Sequence, residues 1–176
     1  MKKSIYNTVL FSTVILLSCK QSNSIQNFEE YELYYSSTFG MSLSTKFNQS
    51  DTVYTSFFWL NNELKDSAKI DSMYYFLINR DQKNKLNDLI IKTNFEKLDS
   101  GYYTTNSADG DEFNFYIKTR NFEKITYFYT REHMSAATDS LMNFTLDLLP
   151  AFKDLSKSNK KNIFKSKIQP EPEPTF

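Results

Sequence analysis

Apolar and aromatic residues recur at every second position through much of this chain, a period that restricts it to half-buried strands over most of its length. Tyr31, Leu33 and Tyr35 alternate with polar or small neighbours, and Phe39, Met41, Leu43, Thr45 and Phe47 continue the pattern. Gly40 marks a bend between the two runs. Asn48-Gln49-Ser50-Asp51 has turn chemistry, and Val53, Thr55, Phe57 and Trp59 return with the same alternation, so a β-hairpin is expected here. Residues 61–69 form a polar loop, after which Met73-Tyr74-Tyr75-Phe76-Leu77-Ile78 is an apolar run suited to a well-covered strand.

The period then changes. Leu86, Leu89, Ile90 and Thr93 fall at helical spacing, with Lys83, Lys85, Asn87, Asp88 and Lys92 turned away, which predicts a helix from about 81 to 93 capped by Asn79 or Asp81. Phe95 and Leu98 fold its exit back on the sheet, and Gly101 breaks the pattern. Asp109-Gly110 is a turn before Phe113, Phe115 and Ile117; Arg120-Asn121-Phe122-Glu123 turns the chain again, and Ile125, Tyr127 and Tyr129 alternate in a second hairpin. Ser135 or Thr138 caps a last helix, near 138–150, whose Ala137, Leu141, Phe144, Leu148 and Leu149 share a face until Pro150. The order of elements predicts an α+β two-layer domain, an antiparallel or mixed sheet of about five strands with two helices packed on one face. Leu43, Phe57, Trp59, Phe76, Ile78, Leu86, Leu89, Ile90, Phe113, Phe115, Ile117, Leu141, Phe144 and Leu148 lie on the apolar side of their local periods and are expected inside. Tyr54, Phe58, Tyr116 and Phe128 have the opposite parity, so an exposed aromatic patch there is the expected docking surface.

Packing must hold such a domain together, because the chain has one cysteine and no disulfide partner for it. The 16 Phe and 12 Tyr set against 3 Gly supply the buried area and favour strands. Residues 19–152 carry 13 Lys and Arg against 18 Asp and Glu, whereas 153–168 carry six Lys against Asp154. An acidic body with a basic tail lacks the basic face that nucleic acid requires, and no nucleic-acid partner is expected.

The cysteine itself carries an address. Met1-Lys2-Lys3 is a positive start; Ile5 to Leu17 is apolar but too short, and too interrupted by Asn7, Thr8, Ser12 and Thr13, to span a bilayer; Ser18 is the small residue that precedes Cys19. Leu16-Leu17-Ser18-Cys19 resembles the lipobox of bacterial lipoproteins, which implies cleavage between Ser18 and Cys19 and acylation of Cys19. Two or more acyl chains hold a protein stably at a membrane, each buried methylene contributing about 0.8 kcal/mol. The expected organisation is a signal peptide over 1–18, a flexible tether over 19–27, one domain over 28–152 and a solvated tail over 153–176, lysine-rich and then alternating Pro and Glu. The succession Leu86-Asn87-Asp88-Leu89, Phe95-Glu96-Lys97-Leu98, Asp109-Gly110 and Ile125, within its order of hairpins and helices, resembles small Bacteroidota-type lipoprotein domains of unknown function. That resemblance implies a fold and an envelope location and brings no catalytic residues. Acidic residues close behind the cysteine accompany surface export in such proteins; the first here is Glu29, which points to the periplasmic face of the outer membrane.

Signatures of catalysis are sparse. His133 is the single histidine, and its neighbours in sequence would not converge on one ligand with it, so it is expected to be a solvated loop residue and no metal or cofactor is expected. Ser135 follows it but lies in no Gly-x-Ser-x-Gly elbow. Asp109, Asp111 and Glu112 form the densest acidic cluster without the ligand spacing of an EF-hand loop. The expected function is therefore a non-catalytic binding or adaptor domain, anchored in the cell envelope through Cys19, whose partner is an envelope protein or glycan. The rival is a hydrolase using carboxylates such as Asp109 and Asp111. Residues 91–98 are nearly repeated at 117–125, but their flanks do not match and the expected elements differ, a helix end and a hairpin, so no structural repeat follows.

Overall fold

The computed structural model describes residues 28–37, 41–59, 73–103, 110–159 and 164–167. Six strands build most of the sheet: β1 (Glu30–Ser36), β2 (Met41–Asn48), β3 (Thr52–Trp59), β4 (Met73–Leu77), β6 (Glu112–Lys118) and β7 (Glu123–Phe128). Two short strands extend it, β5 (Gly101–Tyr102) and β8 (Ser156–Ser158), giving eight among the described residues in the order β5-β7-β6-β1-β2-β3-β4-β8. Every pairing is antiparallel except that of β5 with β7. The α+β class agrees with the sequence, but eight strands replace the expected five. The added strands of two and three residues are too short to show any period.

Register sorts the side chains onto two unlike faces. Tyr31, Leu33 and Tyr35 of β1 stand opposite Phe47, Thr45 and Leu43 of β2 on one side and Ile117, Phe115 and Phe113 of β6 on the other. This is the face the helices cover. Helix α1 (Arg80–Thr93) contributes Leu86 and Ile90, and helix α2 (Ala136–Asp147) contributes Leu141 and Met142, to one core cluster with Tyr31, Leu33, Phe47, Phe76, Phe113 and Phe115. Leu148, just after α2, joins them, while Leu89 and Phe144 pack at the edge of the cluster. Two hydroxyls on this face pair with each other and with the backbone: the Thr145 hydroxyl donates to the Leu141 carbonyl at 2.8 Å and meets the Tyr31 hydroxyl at 3.1 Å, whereas the buried Thr126 hydroxyl has no partner. Of the residues expected inside, Leu43 is buried but Phe57 is only half-buried, ringed by Tyr74 and Phe152. The Trp59 side chain lies outside the described residues.

Local chemistry fixes the helix ends. Asn79, not Asp81, caps α1: its side chain accepts from the Gln82 amide at 2.9 Å while the Gln82 side chain accepts from the Asn79 amide at 2.8 Å, a reciprocal capping box. Asp81 in the first turn and Lys92 in the last complement the helix dipole. Asn94 then takes a left-handed conformation with φ of 51° and ends the helix, a position open to Asn through its short polar side chain. Ser135 caps α2 by accepting from the Thr138 amide at 3.1 Å, and the helix runs from 136 to 147 instead of 138 to 150.

The tail differs most from expectation. Instead of remaining solvated from 153 onward, the chain adds β8 to the edge of β4, and a single turn at Lys165–Lys167 returns to pack on β1 and β6. Phe164 before that turn is buried.

Candidate functional site

The second face of the sheet is organised around β1 and carries different chemistry. In one row across the strands stand Tyr116, Glu32, Lys46, Tyr54 and Tyr75; in the next stand Tyr127, Asn114, Tyr34, Ser44, Ser56 and Met73. Ser36 and Ser42 follow, their hydroxyls hydrogen-bonded at 2.8 Å. Opposite residues on adjacent strands sit about 5 Å apart, so each row is a continuous strip of contacts.

Glu32 is the centre of this face. Its carboxylate is wholly buried, accepts from the Ser166 amide at 2.8 Å through one oxygen and lies 3.1 Å from Lys46 Nζ through the other. Lys46 also donates to Glu30 at 2.5 Å, so one ammonium serves two carboxylates. Burial pushes the Glu32 carboxyl up, against the opposing pull of the Ser166 amide and the Lys46 charge. Lys46 is held above its usual range, because its two carboxylate partners outweigh its partial burial. The returning tail closes over this site as a strap. Lys165 donates to the Tyr116 hydroxyl at 3.0 Å and to Glu123 at 2.6 Å, and stands 4.9 Å from the centre of the Tyr116 ring. Those contacts raise the Lys165 ammonium and lower the Glu123 carboxyl.

Several buried polar atoms here have no hydrogen-bond partner. They are Ser44 Oγ, both amide atoms of Asn114 and Ser166 Oγ, and all three residues are fully buried. An unmade hydrogen bond of this kind costs about 1–3 kcal/mol, so four such atoms around one strand are a substantial local expense.

The expected aromatic patch is corrected by this geometry. Phe128 lies on the helix-covered face, opposite Phe113 and stacked on Tyr102 at 4.6 Å, and is wholly buried in the core. The parity assigned to β7 was inverted because Ile125 and Tyr127 make the side away from the helices the more apolar one, and register alone places Lys124, Thr126 and Phe128 opposite Ile117, Phe115 and Phe113 on the core side. Tyr116 is on the expected face but only 1% exposed. Tyr54 is half-buried there beside Lys46 and Tyr75. The Phe58 side chain, Asp109, Ser18 and Cys19 lie outside the described residues. Sequence reasoning missed Glu32, Ser44 and Asn114; the available signal was that β1 and β6 alternate apolar residues with Glu32 and Asn114, polar groups on strands whose other neighbours are aromatic.

Other candidate residues are distributed elsewhere. Asp111 is half-buried and interacts with Tyr35, whose hydroxyl burial pushes up. His133 is exposed, with its ring 6.4 Å from that of Tyr102. Ser135 is committed to capping α2, and Arg131 beside it forms an ion pair with Asp139 at 2.5 Å. Among the described residues no group of three or more His, Cys, Asp and Glu is placed to hold a metal, and no helix is long and apolar enough to cross a membrane. A cavity of about 270 Å³ opens where α1 ends against the β6–β7 turn, lined by Ile91, Asn94, Phe95, Ile117, Asn121 and Phe122. The two similar segments at 91–98 and 117–125 thus meet in space while adopting different structures. Set against known proteins, the chain matches no family model, no curated protein and no solved structure.

Proposed function

We propose that this chain is a lipid-anchored protein of the cell envelope, held through Cys19 at the periplasmic face of the outer membrane, whose domain binds a partner through the sheet face away from the helices. The observation that supports binding there is the chemical contrast between the two faces. The helix-covered face is sealed with apolar side chains and carries Thr126 as a buried hydroxyl without a partner, whereas the other bears Glu30, Lys46 and Glu32, several half-buried tyrosines, and buried Ser44 and Asn114 with three unmade hydrogen-bonding atoms. Buried polar groups whose hydrogen bonds are unmade favour a partner that supplies them. The leader and Leu16-Leu17-Ser18-Cys19 support the anchor.

Two measurements test the reading. Metabolic labelling with a clickable fatty acid should mark the chain and be lost in Cys19→Ser, together with its membrane partition; unchanged labelling overturns the anchor. A photo-crosslinking residue in place of Tyr54 should give adducts in living cells, whereas one in place of Asp88, exposed on α1, should not. Adducts from position 88 alone overturn the assignment of the binding face.

A further inference from the structure

An aromatic cluster outside the core lies at the β4–β8 edge of the sheet. The turn Phe152–Asp154, which follows α2, sets the Phe152 ring 5.1 Å from that of Tyr74 on β4 and 5.7 Å from that of Phe57 on β3, with Phe57 and Tyr74 themselves 6.2 Å apart. All three contacts are edge-to-face, so the outer ring stands on a fixed base. Phe152 is nevertheless 61% exposed, more than any other Phe or Tyr among the described residues. Two lysines flank it. Lys153 follows it in the turn and is exposed, and Lys157 of β8 stands opposite Tyr74, so its side chain leaves the sheet on the same side. Neither lysine is in an ion pair among the described residues, and Asp154 is the acid between them. The segment 153–168 as a whole carries six Lys against that Asp.

A protruding ring enters a soft boundary; it does not receive a ligand. Aromatic rings settle at the headgroup level of a bilayer, and lysine stems lie along the apolar boundary while their ammonium groups reach phosphate. Chain geometry permits such a contact. Phe57 is level with Tyr35, five residues along β1 from Glu30 and two strands across, which places the cluster about 20 Å from the start of the sheet. The nine steps from Cys19 to Phe28 reach at most about 30 Å. We propose that Phe57, Tyr74, Phe152, Lys153 and Lys157 form a contact site for anionic phospholipid, which lays the domain on the bilayer that anchors it. The inference rests on the lipid-anchor reading and adds an orientation to it. Phe57 and Tyr74 are on the helix-covered side, so the opposite sheet face stays open to a partner. Acyl chains and a basic aromatic edge are two separate holds on one membrane.

The test uses the full chain purified from membranes and reconstituted in vesicles of phosphatidylethanolamine and phosphatidylglycerol. A nitroxide label on Phe152→Cys should be reached more readily by lipid-soluble oxygen than by a water-soluble nickel chelate. Labels on Arg120→Cys, in the β6–β7 turn, and on Asp88→Cys, on α1, should show the reverse. If thermal unfolding shows that Phe152→Cys is not folded, Ala151→Cys, exposed beside it, carries the label with Phe152 in place. Lys153→Gln and Lys157→Gln should each lower the contact equilibrium about fivefold, and phosphatidylcholine vesicles should lower it further. A label at 152 as open to nickel as one at 120 overturns the proposal. So does contact that neutral lipid and both lysine substitutions leave unchanged, or spin–spin broadening that grows with protein density, which would make this edge an interface between copies. Contact at 152 that persists in Cys19→Ser, in a chain that takes up no fatty acid, would remove the anchor and keep the edge; an acylated chain with position 152 in water would do the opposite.

Discussion

Glu32 shows how one buried residue ties stability to pH. Its folded-state carboxyl is raised above the ordinary 4.5, so the native protein holds this proton more tightly than the unfolded chain does. Its contribution to stability is therefore fully present below about 4.5, the unfolded value, and is lost as pH rises through the folded value. Glu32→Gln keeps an acceptor for the Ser166 amide and removes the titration, and should flatten the change in urea midpoint with pH above 4.5 relative to the wild type. Glu123 acts in the opposite sense: its lowered carboxyl contributes above the unfolded value and is lost in acid, but its exposure keeps that contribution small. In the core, Tyr31→Phe removes one hydroxyl whose partner Thr145 still donates to Leu141, so the expected loss is about 1 kcal/mol by urea unfolding. Leu86→Ala, at a fully buried position on α1, should cost about 2–5 kcal/mol in the same experiment.

The start of α1 is where sequence and structure agree closely, because a cap is a short-range device that adjacent residues specify by themselves. Asn79 was one of the two caps expected, and Asn79→Ala should destabilise the protein by about 1 kcal/mol through loss of the capping box with Gln82. Asn94→Gly should be tolerated or slightly stabilising at its left-handed φ of 51°, whereas Asn94→Val should lower the thermal midpoint. The strand alternation of β1, β2, β3 and β6 was equally legible, since each has one strongly apolar side. The phase of β7 was not, as Ile125 and Tyr127 make its outer side look like the core side and only the register with Phe113 and Phe115 turns Phe128 inward. Nor was the strap legible: Phe164, Lys165 and Ser166 are held by Glu32, Tyr116 and Glu123, residues 42 to 134 positions away, and a lysine-rich sequence gives no hint of such contacts. The candidate face went largely unseen for the same reason, because Ser44 and Asn114 become neighbours of Tyr34 only after three strands have paired.

As a whole, the molecule is a two-layer domain whose open layer is partly closed by its own distal segment. Removing residues 160–176 should leave the domain folded but lower its stability by about 2 kcal/mol, chiefly through loss of the buried Phe164 ring, as read from the urea midpoint. The same truncation exposes Tyr116 and leaves Glu32 without its Ser166 partner. The position of β1 has a kinetic consequence. One edge of β1 pairs with β2, which follows it closely, but the other pairs with β6, in which Ser36 meets Glu112 and Glu30 meets Lys118. The centre of the sheet therefore waits for residues 76 to 88 positions downstream. Whatever handles the chain from its N-terminal side meets a half-built sheet with an unpaired edge, open to wrong pairing or to a carrier, and the length of that interval is set by how quickly residues 112–118 arrive.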